Sequence, residues 1–387
     1  MTDRVPIAII GGGVLGLSVA YSLLQKGIQD IVLLEKNADF GLEQSGSNSG
    51  VMHAGFLYPT GTDMAKFCVE GLQLLYRFCQ DYSVPHAPTG KLMVAVNAQQ
   101  ENELQSYFQL ATDNGLTNFE ILSAVEVKKY EPCLAVKSAL YVSQSGVFDA
   151  SFYVSTLHSK AAGLHDTPDM LMKNCRVVGI TPINHGFRLD VEQLRANTTR
   201  WQLECDVLVN AAGLYAWDIA KMLSPDLSYE KQYLKGEYFQ FNRRDDLFVN
   251  CNVYPVPIMV ALDDGGNFLD LGAHLTPKVG PDEKGKTAIA KEVLIGPIFK
   301  EVKDPQNYRS SIDRSVFHES VRSFLPSLKE TDLYRGHTGI IGLIKDQTDF
   351  MIMQDESNPG CIHLLGMESP ALTASLAIGR YVANLIG

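Results

Sequence analysis

Three glycines near the N-terminus carry the clearest chemical signal in the sequence. Gly11, Gly13 and Gly16 form the pattern G-x-G-x-x-G between a short apolar run and a helical pattern. The first glycine allows a tight turn, the second lets the backbone approach a pyrophosphate, and the third lets a helix pack against a strand. The N-terminus of that helix adds free N–H groups and the positive end of a dipole. Glu35 ends a second apolar run about twenty residues later, where an acid can accept hydrogen bonds from a ribose. The spacing predicts a dinucleotide site rather than tight packing alone.

A second stretch with chemical potential is the glycine- and serine-rich segment SGSNSGVMHAGFLYPTG, residues 45–61. It contains Asn48 and His53, which a plain linker does not need. An enzyme that binds NAD normally continues with alternating strands and helices, whereas here the segment leads into a helical pattern from Met64 to about Gln80. Flavoproteins often use such a loop to bring backbone N–H groups to the flavin end of FAD. The order of segments therefore favours FAD as the dinucleotide.

Two more turns of small residues follow predicted strands. Ala211-Ala212-Gly213 ends an apolar run over 201–213, and Gly366 follows the run Cys361–Leu365. A helical pattern from Pro370 to Leu385 comes next, and free N–H groups at its start could bind an anion or a carbonyl oxygen. Both turns are predicted to return the backbone to the dinucleotide. A plain strand–helix turn and a merely packed terminal helix are the alternatives.

The elements that position these residues can be predicted from hydrophobic periodicity and from helix-ending signals. Val5–Ile10 and Ile31–Leu34 have the pattern of buried parallel strands, and Val14–Lys26 has the pattern of a helix that Gly27 ends. Mixed strands over about 216–330 are predicted to build a second sheet. The remaining predictions are strands at 89–96, 139–148, 170–180 and 187–191, helices at 99–114 and 150–162, and a capping box at Ser123 and Glu126.

Length and composition exclude several classes of protein. A chain of 387 residues predicts two domains. The net charge of −11, with acids and bases spread along the chain, argues against binding nucleic acid. No apolar run reaches the roughly 18 residues of a membrane span, and only a few residues precede the first predicted strand, so we expect neither a membrane span nor a signal peptide.

The cysteines indicate a reducing compartment. The seven cysteines are odd in number and form no C-x-x-C pair. They are therefore expected to be buried reduced thiols rather than disulfides or metal ligands, so no metal site is predicted. A cytoplasmic location follows, with peripheral contact to the inner face of a membrane left open.

Several longer motifs together resemble one family. The N-terminal fingerprint is followed in order by NSGVMHAG, GKLMVAV, DVLVNAAGLYA, KGEYF, YPVP, LGAHLTP and GMESPALTASLAIG. In this order they resemble the FAD-dependent oxidoreductases of the D-amino-acid oxidase superfamily. Within the superfamily the chain is most similar to the L-2-hydroxyglutarate dehydrogenase/oxidase branch. The resemblance extends over essentially the whole chain.

The resemblance implies a fold class of α/β with an α+β second domain. A Rossmann-like FAD-binding domain of the glutathione-reductase type is expected to be interleaved with a mixed-sheet substrate domain. The expected FAD-binding parts are 1–84, 147–215 and 331–387, and the expected substrate-domain parts are 85–146 and 216–330.

The resemblance also implies which residues contact FAD. The ADP half is assigned to Gly11, Gly13, Gly16, Glu35 and Lys36, with the backbone of Val177 at the adenine. The pyrophosphate and ribityl chain are assigned to Ser45, Asn48, Ser49 and Gly50, and the pyrophosphate side also to Ala212 and Gly213. The flavin ring and the neighbouring ribityl chain are assigned to Gly339, Gly366, Glu368, Ser369, Leu372 and Thr373.

Four side chains are candidates for the reaction itself. His53 and His274 are candidate bases because a neutral imidazole titrates near working pH. His53 could instead donate a hydrogen bond, carry a covalent FAD, or only shape its loop. Lys235 is interpreted as an anchor for a substrate carboxylate or as a surface lysine, and Tyr254 as a hydrogen-bond donor to substrate or as part of the core.

One position departs from the family pattern. Ile341 stands where family members commonly have an arginine, and a guanidinium is the natural partner of a carboxylate. Arg335, His337 or Lys345 could substitute for it. The exact substrate, and whether FAD is bound covalently, are therefore left open.

Three functions from different classes remain. The favoured one is an FAD-dependent enzyme that oxidises a small 2-hydroxy acid, similar to 2-hydroxyglutarate, to the 2-oxo acid. The alternative is a flavin amine or amino-acid oxidase of the glycine/sarcosine oxidase type. The third is a flavoprotein that has lost catalysis and serves as a binding partner. Oxygen, a quinone or another flavoprotein could accept the electrons, and the protein could be a monomer or a homo-oligomer.

Overall fold

The computed structural model describes residues 3–194, 197–261, 267–270, 272–281 and 286–387. In these ranges the helices are α1 (Val14–Gln25), α2 (Asp63–Asp81), α3 (Ala98–Asp113), α4 (Ala124–Tyr130), α5 (Ala150–Leu164), α6 (Ala216–Leu223), α7 (Arg314–Val321) and α8 (Ala371–Ile386).

The strands of the same ranges fall into two large sheets and two small ones. They are β1 (Asp3–Ile10), β2 (Ile31–Leu34), β3 (Val51–Met52), β4 (His86–Ala87), β5 (Lys91–Ala95), β6 (Phe119–Ser123), β7 (Ser138–Val142), β8 (Gly146–Phe148), β9 (Leu171–Met172), β10 (Cys175–Ile183), β11 (Gly186–Gln193), β12 (Thr199–Asn210), β13 (Lys231–Asn242), β14 (Asn252–Pro255), β15 (Ile258–Ala261), β16 (Asn267–Asp270), β17 (His274–Pro281), β18 (Thr287–Val302), β19 (Tyr334–Ile344), β20 (Met351–Gln354) and β21 (Cys361–Leu365).

The chain divides into two compact units, each made of separate segments. Unit 1 consists of Met1–Gly46, Ser151–Gln232 and Ile341–Gly387, and unit 2 consists of Ser47–Ala150 and Tyr233–Ile340. These ranges describe packing. The functional division into FAD-binding and substrate domains at the boundaries given above stays a prediction.

Unit 1 is built on a sheet with a parallel centre. The strand order is β10-β11-β12-β1-β2-β9. β21 pairs with β20 and with the C-terminal end of β12, beyond the part of β12 that pairs with β11. β1 runs parallel to β2 and β12, and β21 runs parallel to β12. Helices α1 and α8 pack closely, and a side chain on Gly379 would collide with the backbone of Ser18. The predicted Rossmann-like α/β fold is confirmed.

Unit 2 is built on a mixed sheet of the order β19-β13-β18-β17-β14-β5-β7-β6. Most of its pairs are antiparallel, but β14 and β5 are parallel. Its buried face packs against α7 and the residues that follow it. Members of this core include Leu92, Phe239, Phe241, Val253, Leu275, Phe317 and Phe324.

Most elements lie where periodicity predicts them, but three regions differ. The segments 139–148 and 170–180 each contain two strands, β7 with β8 and β9 with β10. The region predicted as strands over about 216–330 also contains helix α7 and begins with helix α6. Its apolar residues Trp217, Ala220 and Leu223 recur at helical spacing, which places them on one buried face. The capping box is confirmed, because the Ser123 N–H donates to Glu126 at 2.8 Å and the Glu126 N–H donates back to Ser123 at 3.4 Å.

Two further findings concern membrane spans and cysteines. None of the helices in the described ranges is both long enough and apolar enough to cross a bilayer. All seven cysteines are free thiols; six are buried and Cys133 is partly buried.

Candidate active site

The predicted site residues are divided between the two units. Unit 1 contains Gly11, Gly13, Gly16, Glu35, Lys36, Ser45, Val177, Ala212, Gly213, Gly366, Glu368, Ser369, Leu372 and Thr373. Unit 2 contains Asn48, Ser49, Gly50, His53, Lys235, Tyr254, His274 and Gly339. Each set is described within its own unit.

The turn between β1 and α1 tolerates no side chain at its first and last glycines. Gly11 has φ +106°, a conformation that side chains disfavour, and a Cβ there would collide with the carbonyl of Ala211. A Cβ on Gly16 would collide with the carbonyl of Gly11. The glycine pattern therefore brings the turn, α1 and the 211–213 segment into close contact.

Gly13 and Ser45 define the space at the start of α1. Gly13 is the N-cap of α1, and the Ser45 hydroxyl accepts a hydrogen bond from the Val14 N–H at 2.9 Å. A Cβ on Gly13 would lie 3.1 Å from the same Ser45 oxygen. A narrow cradle of backbone and hydroxyl groups at a helix N-terminus suits a pyrophosphate.

Glu35 fixes this turn with its carboxylate. It is buried, and its two oxygens accept hydrogen bonds from the N–H groups of Gly12 and Asn37, both at 2.7 Å. Burial raises the pKa of the Glu35 carboxyl, and the two N–H groups oppose that shift. Because a carboxylate has about four acceptor sites, two bonds leave capacity for ribose hydroxyls. Lys36 pairs with Glu43 and lies 4.6 Å from the ring centre of Tyr215.

A buried polar network supports the 211–213 turn. The Asn210 amide accepts from the Ala212 N–H at 3.3 Å and donates to the Ala216 carbonyl at 2.7 Å. Its nitrogen lies 2.9 Å from His363 Nδ1, and His363 Nε2 lies 3.4 Å from Asp355. Sequence analysis did not identify this network, because its members come from β12, β21 and the segment between β20 and β21.

The turn before α8 contributes a carboxyl group with a raised pKa. Gly366 has φ +63°, and Thr373 is buried in the first turn of the helix. Glu368 is partly buried, and burial raises its pKa to about 8. A carboxyl group in this state is largely neutral at pH 7 and can donate a hydrogen bond.

In unit 2 the glycine- and serine-rich segment packs against β19. A Cβ on Gly339 would collide with the Ser47 carbonyl, and the Gly50 N–H donates to the Asn48 side chain at 2.9 Å. Ser49 contacts His274, whose Nε2 lies 3.4 Å from the serine hydroxyl. The predicted residues 48–50, 274 and 339 therefore lie in one region of the unit.

The structure also brings His53, Tyr254 and His274 together. β14 pairs with β17 so that Val253 faces Leu275, which places Tyr254 opposite His274. The rings of Tyr254 and His274 stack with centres 3.9 Å apart, and the Tyr254 ring meets His53 edge-on at 6.5 Å. All three side chains are buried.

Lys91 completes this group, and sequence analysis missed it. It begins β5, opposite Asn252 of β14, and its side chain is 0% exposed. Its Nζ lies 3.4 Å from His53 Nδ1 and 3.8 Å from the ring centre of Tyr254. The sequence offered little signal for it, because Lys91 precedes the apolar residues LMVAV and a lysine at the start of a strand is ordinarily exposed.

Burial sets the charge state of the group. It lowers the pKa of His53 well below the usual value, with further lowering by Lys91 and His274. It lowers the pKa of His274 to about 3 and that of Lys91 to about 7. Both imidazoles are therefore neutral near pH 7 and do not titrate near working pH as the sequence led us to expect, whereas Lys91 is about half protonated there.

Lys235 has a different environment in the same unit. It is buried, its Nζ lies 3.2 Å from Glu237, and it donates to the Arg309 carbonyl at 2.7 Å. Burial alone would raise the pKa of Glu237, but hydrogen bonds from residues 310–312 lower it to about 2. Lys235 is thus internally paired, and its predicted role as a carboxylate anchor stays a prediction.

The residues considered as substitutes for the missing arginine are spread over both units. Arg335 bonds to Ser310, and His337 stacks on Tyr238 with ring centres 4.3 Å apart. Ile341 and Lys345 belong to unit 1, where Lys345 lies 3.5 Å from Glu230.

Known proteins resemble the chain over nearly its full length. Residues 6–385 match the family described as FAD dependent oxidoreductase, DAO. L-2-hydroxyglutarate dehydrogenases are similar: the Arabidopsis thaliana mitochondrial protein is 31% identical, covering 99% of this chain and 83% of its own length. The protein from Indibacter alkaliphilus is 29% identical over 98% of both chains.

Solved structures share the fold. L-alpha-glycerophosphate oxidase from Mycoplasma pneumoniae, solved with FAD bound, has a TM-score of 0.81 at 23% identity, covering 100% of this chain and 95% of its own. Glycine oxidase from Geobacillus kaustophilus has a TM-score of 0.80 at 18% identity, with the same coverage. The family match, the curated relatives and the glycine cradle agree. The chain belongs to the DAO family of FAD-dependent oxidoreductases.

Proposed function

We propose that this FAD-dependent enzyme oxidises a small 2-hydroxy acid of the 2-hydroxyglutarate class to the corresponding 2-oxo acid. The observation that carries the proposal is the similarity, over 98–99% of the chain, to proteins named L-2-hydroxyglutarate dehydrogenase. The oxidation removes a hydrogen with its electron pair from the carbon that bears the hydroxyl group, and a proton from the hydroxyl.

FAD fits the residues of unit 1, and when bound it supplies the two-electron chemistry. The close packing at Gly11 and Gly16, and the small space between Gly13 and Ser45, support the assignment of the pyrophosphate to this turn. Glu35 is assigned to the ribose. Replacing Gly13 with valine is expected to abolish FAD retention, and the flavin absorbance of the purified variant tests this.

His53 is the first candidate for the proton acceptor. Burial lowers its pKa well below the usual value, so the imidazole is neutral at pH 7 and free to accept a proton, but it is a weaker base than an imidazole that titrates near working pH. His274 is the second candidate, and its stacking with Tyr254 supports a role in orienting that phenol. The other cofactor contacts assigned by resemblance, including Val177, are part of the same proposal.

An anionic substrate needs local positive charge, since the chain carries −11 overall. Ile341 supplies no guanidinium, and this observation favours the second candidate function, oxidation of an amine or amino acid. For that reason the substrate is tested with both classes of compound.

Anaerobic bleaching of the flavin by a panel of compounds tests the proposal. We expect L-2-hydroxyglutarate to bleach the flavin faster than its D enantiomer, lactate, glycine or sarcosine. Bleaching by the amines alone would replace the proposal with the second candidate. Bleaching by dithionite but by no compound of the panel would contradict both candidate substrate classes and favour the third function, a flavoprotein that has lost catalysis.

The electron acceptor and the location complete the proposal. Reoxidation of the reduced enzyme by oxygen, a quinone analogue or an electron-transfer flavoprotein distinguishes the three acceptors. Seven free cysteines support a cytoplasmic location. Sedimentation with and without vesicles tests contact with a membrane surface.

A further inference from the structure

Lys91 is a buried lysine without an anionic partner among the residues that the structure describes. No carboxylate in the described part of the chain lies within ion-pair distance of its Nζ, and its neighbours are His53, Phe56 and Tyr254. Burying an unpaired charge is strongly unfavourable. A residue that fold stability alone would disfavour is therefore a candidate for a role in the reaction.

We propose that Lys91 is the final proton acceptor of the reaction, receiving through His53 the proton that leaves the substrate hydroxyl. The proposal rests on the proposed oxidation of a hydroxy acid and adds a catalytic pair to it. Its geometric basis is the 3.4 Å separation of His53 Nδ1 and Lys91 Nζ.

The proton transfer balances without another reactant. In the starting state Lys91 is an amine and His53 is neutral, with its proton on Nδ1. The substrate O–H bond breaks and an N–H bond forms on the other ring nitrogen, while the Nδ1 proton moves to Nζ. His53 ends neutral and Lys91 ends as ammonium. The electron pair leaves with the hydrogen on carbon, as the family's oxidation requires.

The surroundings of Lys91 suit an amine that gains a proton and later releases it. The face of Tyr254, 3.8 Å from Nζ, stabilises an ammonium through its π electrons. A carboxylate in that place would keep the lysine permanently protonated and prevent it from accepting a proton. An aromatic face without a carboxylate therefore fits a reversible acceptor.

Among Lys91 and the titratable side chains around it, Lys91 has the pKa near neutral pH. Cys68, Tyr254 and His274 face it from α2, β14 and β17, and Tyr58 lies 3.5 Å from His53 Nδ1. Burial raises the pKa of Cys68 and Tyr254 and lowers those of His53 and His274, so these groups are neutral at pH 7. The pKa of Lys91 is about 7. The rate should therefore rise with pH up to about 7 and then level off.

Two substitutions separate a proton acceptor from a fixed positive charge. Arginine keeps the charge but cannot lose its proton, and methionine removes both. In the FAD-loaded enzyme, Lys91→Arg and Lys91→Met should both slow flavin reduction by roughly 100- to 10,000-fold. Retention of the rate within about threefold by Lys91→Arg, or a wild-type rate that falls as pH rises through 7, would overturn the proposal. FAD content and melting temperature check that each variant is folded, and Lys128→Met on exposed α4 surface is the matched control.

Chemical rescue gives a readout that a structural lysine would not produce. In Lys91→Ala, small primary amines such as ethylamine should restore part of the rate in proportion to the concentration of free amine, and more weakly basic amines should restore less. Equal stimulation by quaternary ammonium salts, which carry charge but accept no proton, would contradict proton transfer.

An NMR titration tests the pair without turnover. In ¹⁵N-histidine-labelled holoenzyme, the His53 signals, identified by their loss in His53→Gln, should shift with a midpoint near pH 7. In Lys91→Met this shift should disappear. An identical shift in the variant, or none in the wild type, would refute the coupling of the two residues. If instead the NMR result holds and no hydroxy acid reduces the flavin, the proposed substrate is wrong and the pair stands.

Discussion

Unit 2 buries two lysines in opposite electrostatic environments. Lys235 faces Glu237 and the carbonyl of Arg309, whereas Lys91 faces an imidazole and aromatic rings. Both side chains are nearly inaccessible to solvent, with residue exposures of 2% and 0%. The difference shows that burial alone does not indicate the role of a lysine. The presence or absence of an anion decides whether it stays charged or can exchange a proton.

The pair at Lys235 is built to hold charge. Glu237 accepts hydrogen bonds from Ser310, Ser311 and Ile312, so it ties that segment to β13 and stays ionised. No comparable set of donors or acceptors surrounds Lys91 in the described residues. We therefore expect changes at Lys235 and Glu237 to affect stability, and changes at Lys91 to affect the rate.

The largest expected effect is on the rate, and it is non-additive. If His53 and Lys91 act as one proton-accepting pair, His53→Ala and Lys91→Met should each slow flavin reduction by roughly 100- to 10,000-fold. The double variant should be scarcely slower than the slower single variant, because groups that act together are not additive. Stopped-flow reduction of all four proteins measures the coupling. Multiplication of the two single effects in the double variant would show that the residues act independently.

The second effect is on folding. Glu237→Gln leaves Lys235 buried without an anion, and loss of one partner of a buried pair typically costs about 3–5 kcal/mol. Urea unfolding should show this loss in the free energy of unfolding, while the rate of flavin reduction stays nearly unchanged in the folded protein. Glu120→Gln on the exposed face of β6 is the matched control. A large loss of rate with normal stability would instead support Lys235 as the carboxylate anchor.

A third effect follows from the acidity of Glu237. Its pKa falls from 4.5 to about 2 in the folded protein, so the folded state binds fewer protons than the unfolded chain between these values. The stability contributed by this group is complete above about pH 4.5 and is lost as the pH falls toward 2, with a limiting slope of about 1.4 kcal/mol per pH unit. Comparison of wild type with Glu237→Gln over this range measures it. Parallel curves for the two proteins would show that Glu237 titrates normally.

Local signals in the sequence were sufficient for the dinucleotide turn. Gly11 to Gly16, the helix after them and Glu35 lie within about one strand–helix–strand unit, where glycine spacing and periodicity determine the backbone. The capping box at Ser123 is local in the same sense. The Lys235–Glu237 pair was not predicted, although residues two apart on a strand lie on one face, because the sequence does not show that both side chains are buried.

The Lys91 group could not be predicted in this way. Lys91, Tyr254 and His274 meet because β5, β14 and β17 are neighbours with a particular register, although β5 is far from the other two strands in sequence. Periodicity indicates that a strand exists but not which strand lies beside it. Lys91 stands at the start of an apolar strand, where a lysine is ordinarily exposed, so neither its burial nor its partner could be predicted.

The smallest expected effect is a gain in stability from the variant that should lose activity. Lys91→Met removes from the interior an amine that has no anionic partner among the described residues, so the melting temperature of the variant should exceed that of the wild type at pH 6. The pKa of Lys91 falls from 10.5 to about 7 on folding. Between those values the unfolded chain binds more protons, so wild-type stability rises with pH. The stability advantage of Lys91→Met over the wild type should therefore be greatest at or below pH 7 and shrink by about 1.4 kcal/mol per pH unit above it.

Thermal unfolding at several pH values, with Lys128→Met as control, measures this advantage. A lower melting temperature at pH 6 would mean that Nζ stabilises the fold, and Lys91 would then belong with Lys235 as a structural lysine.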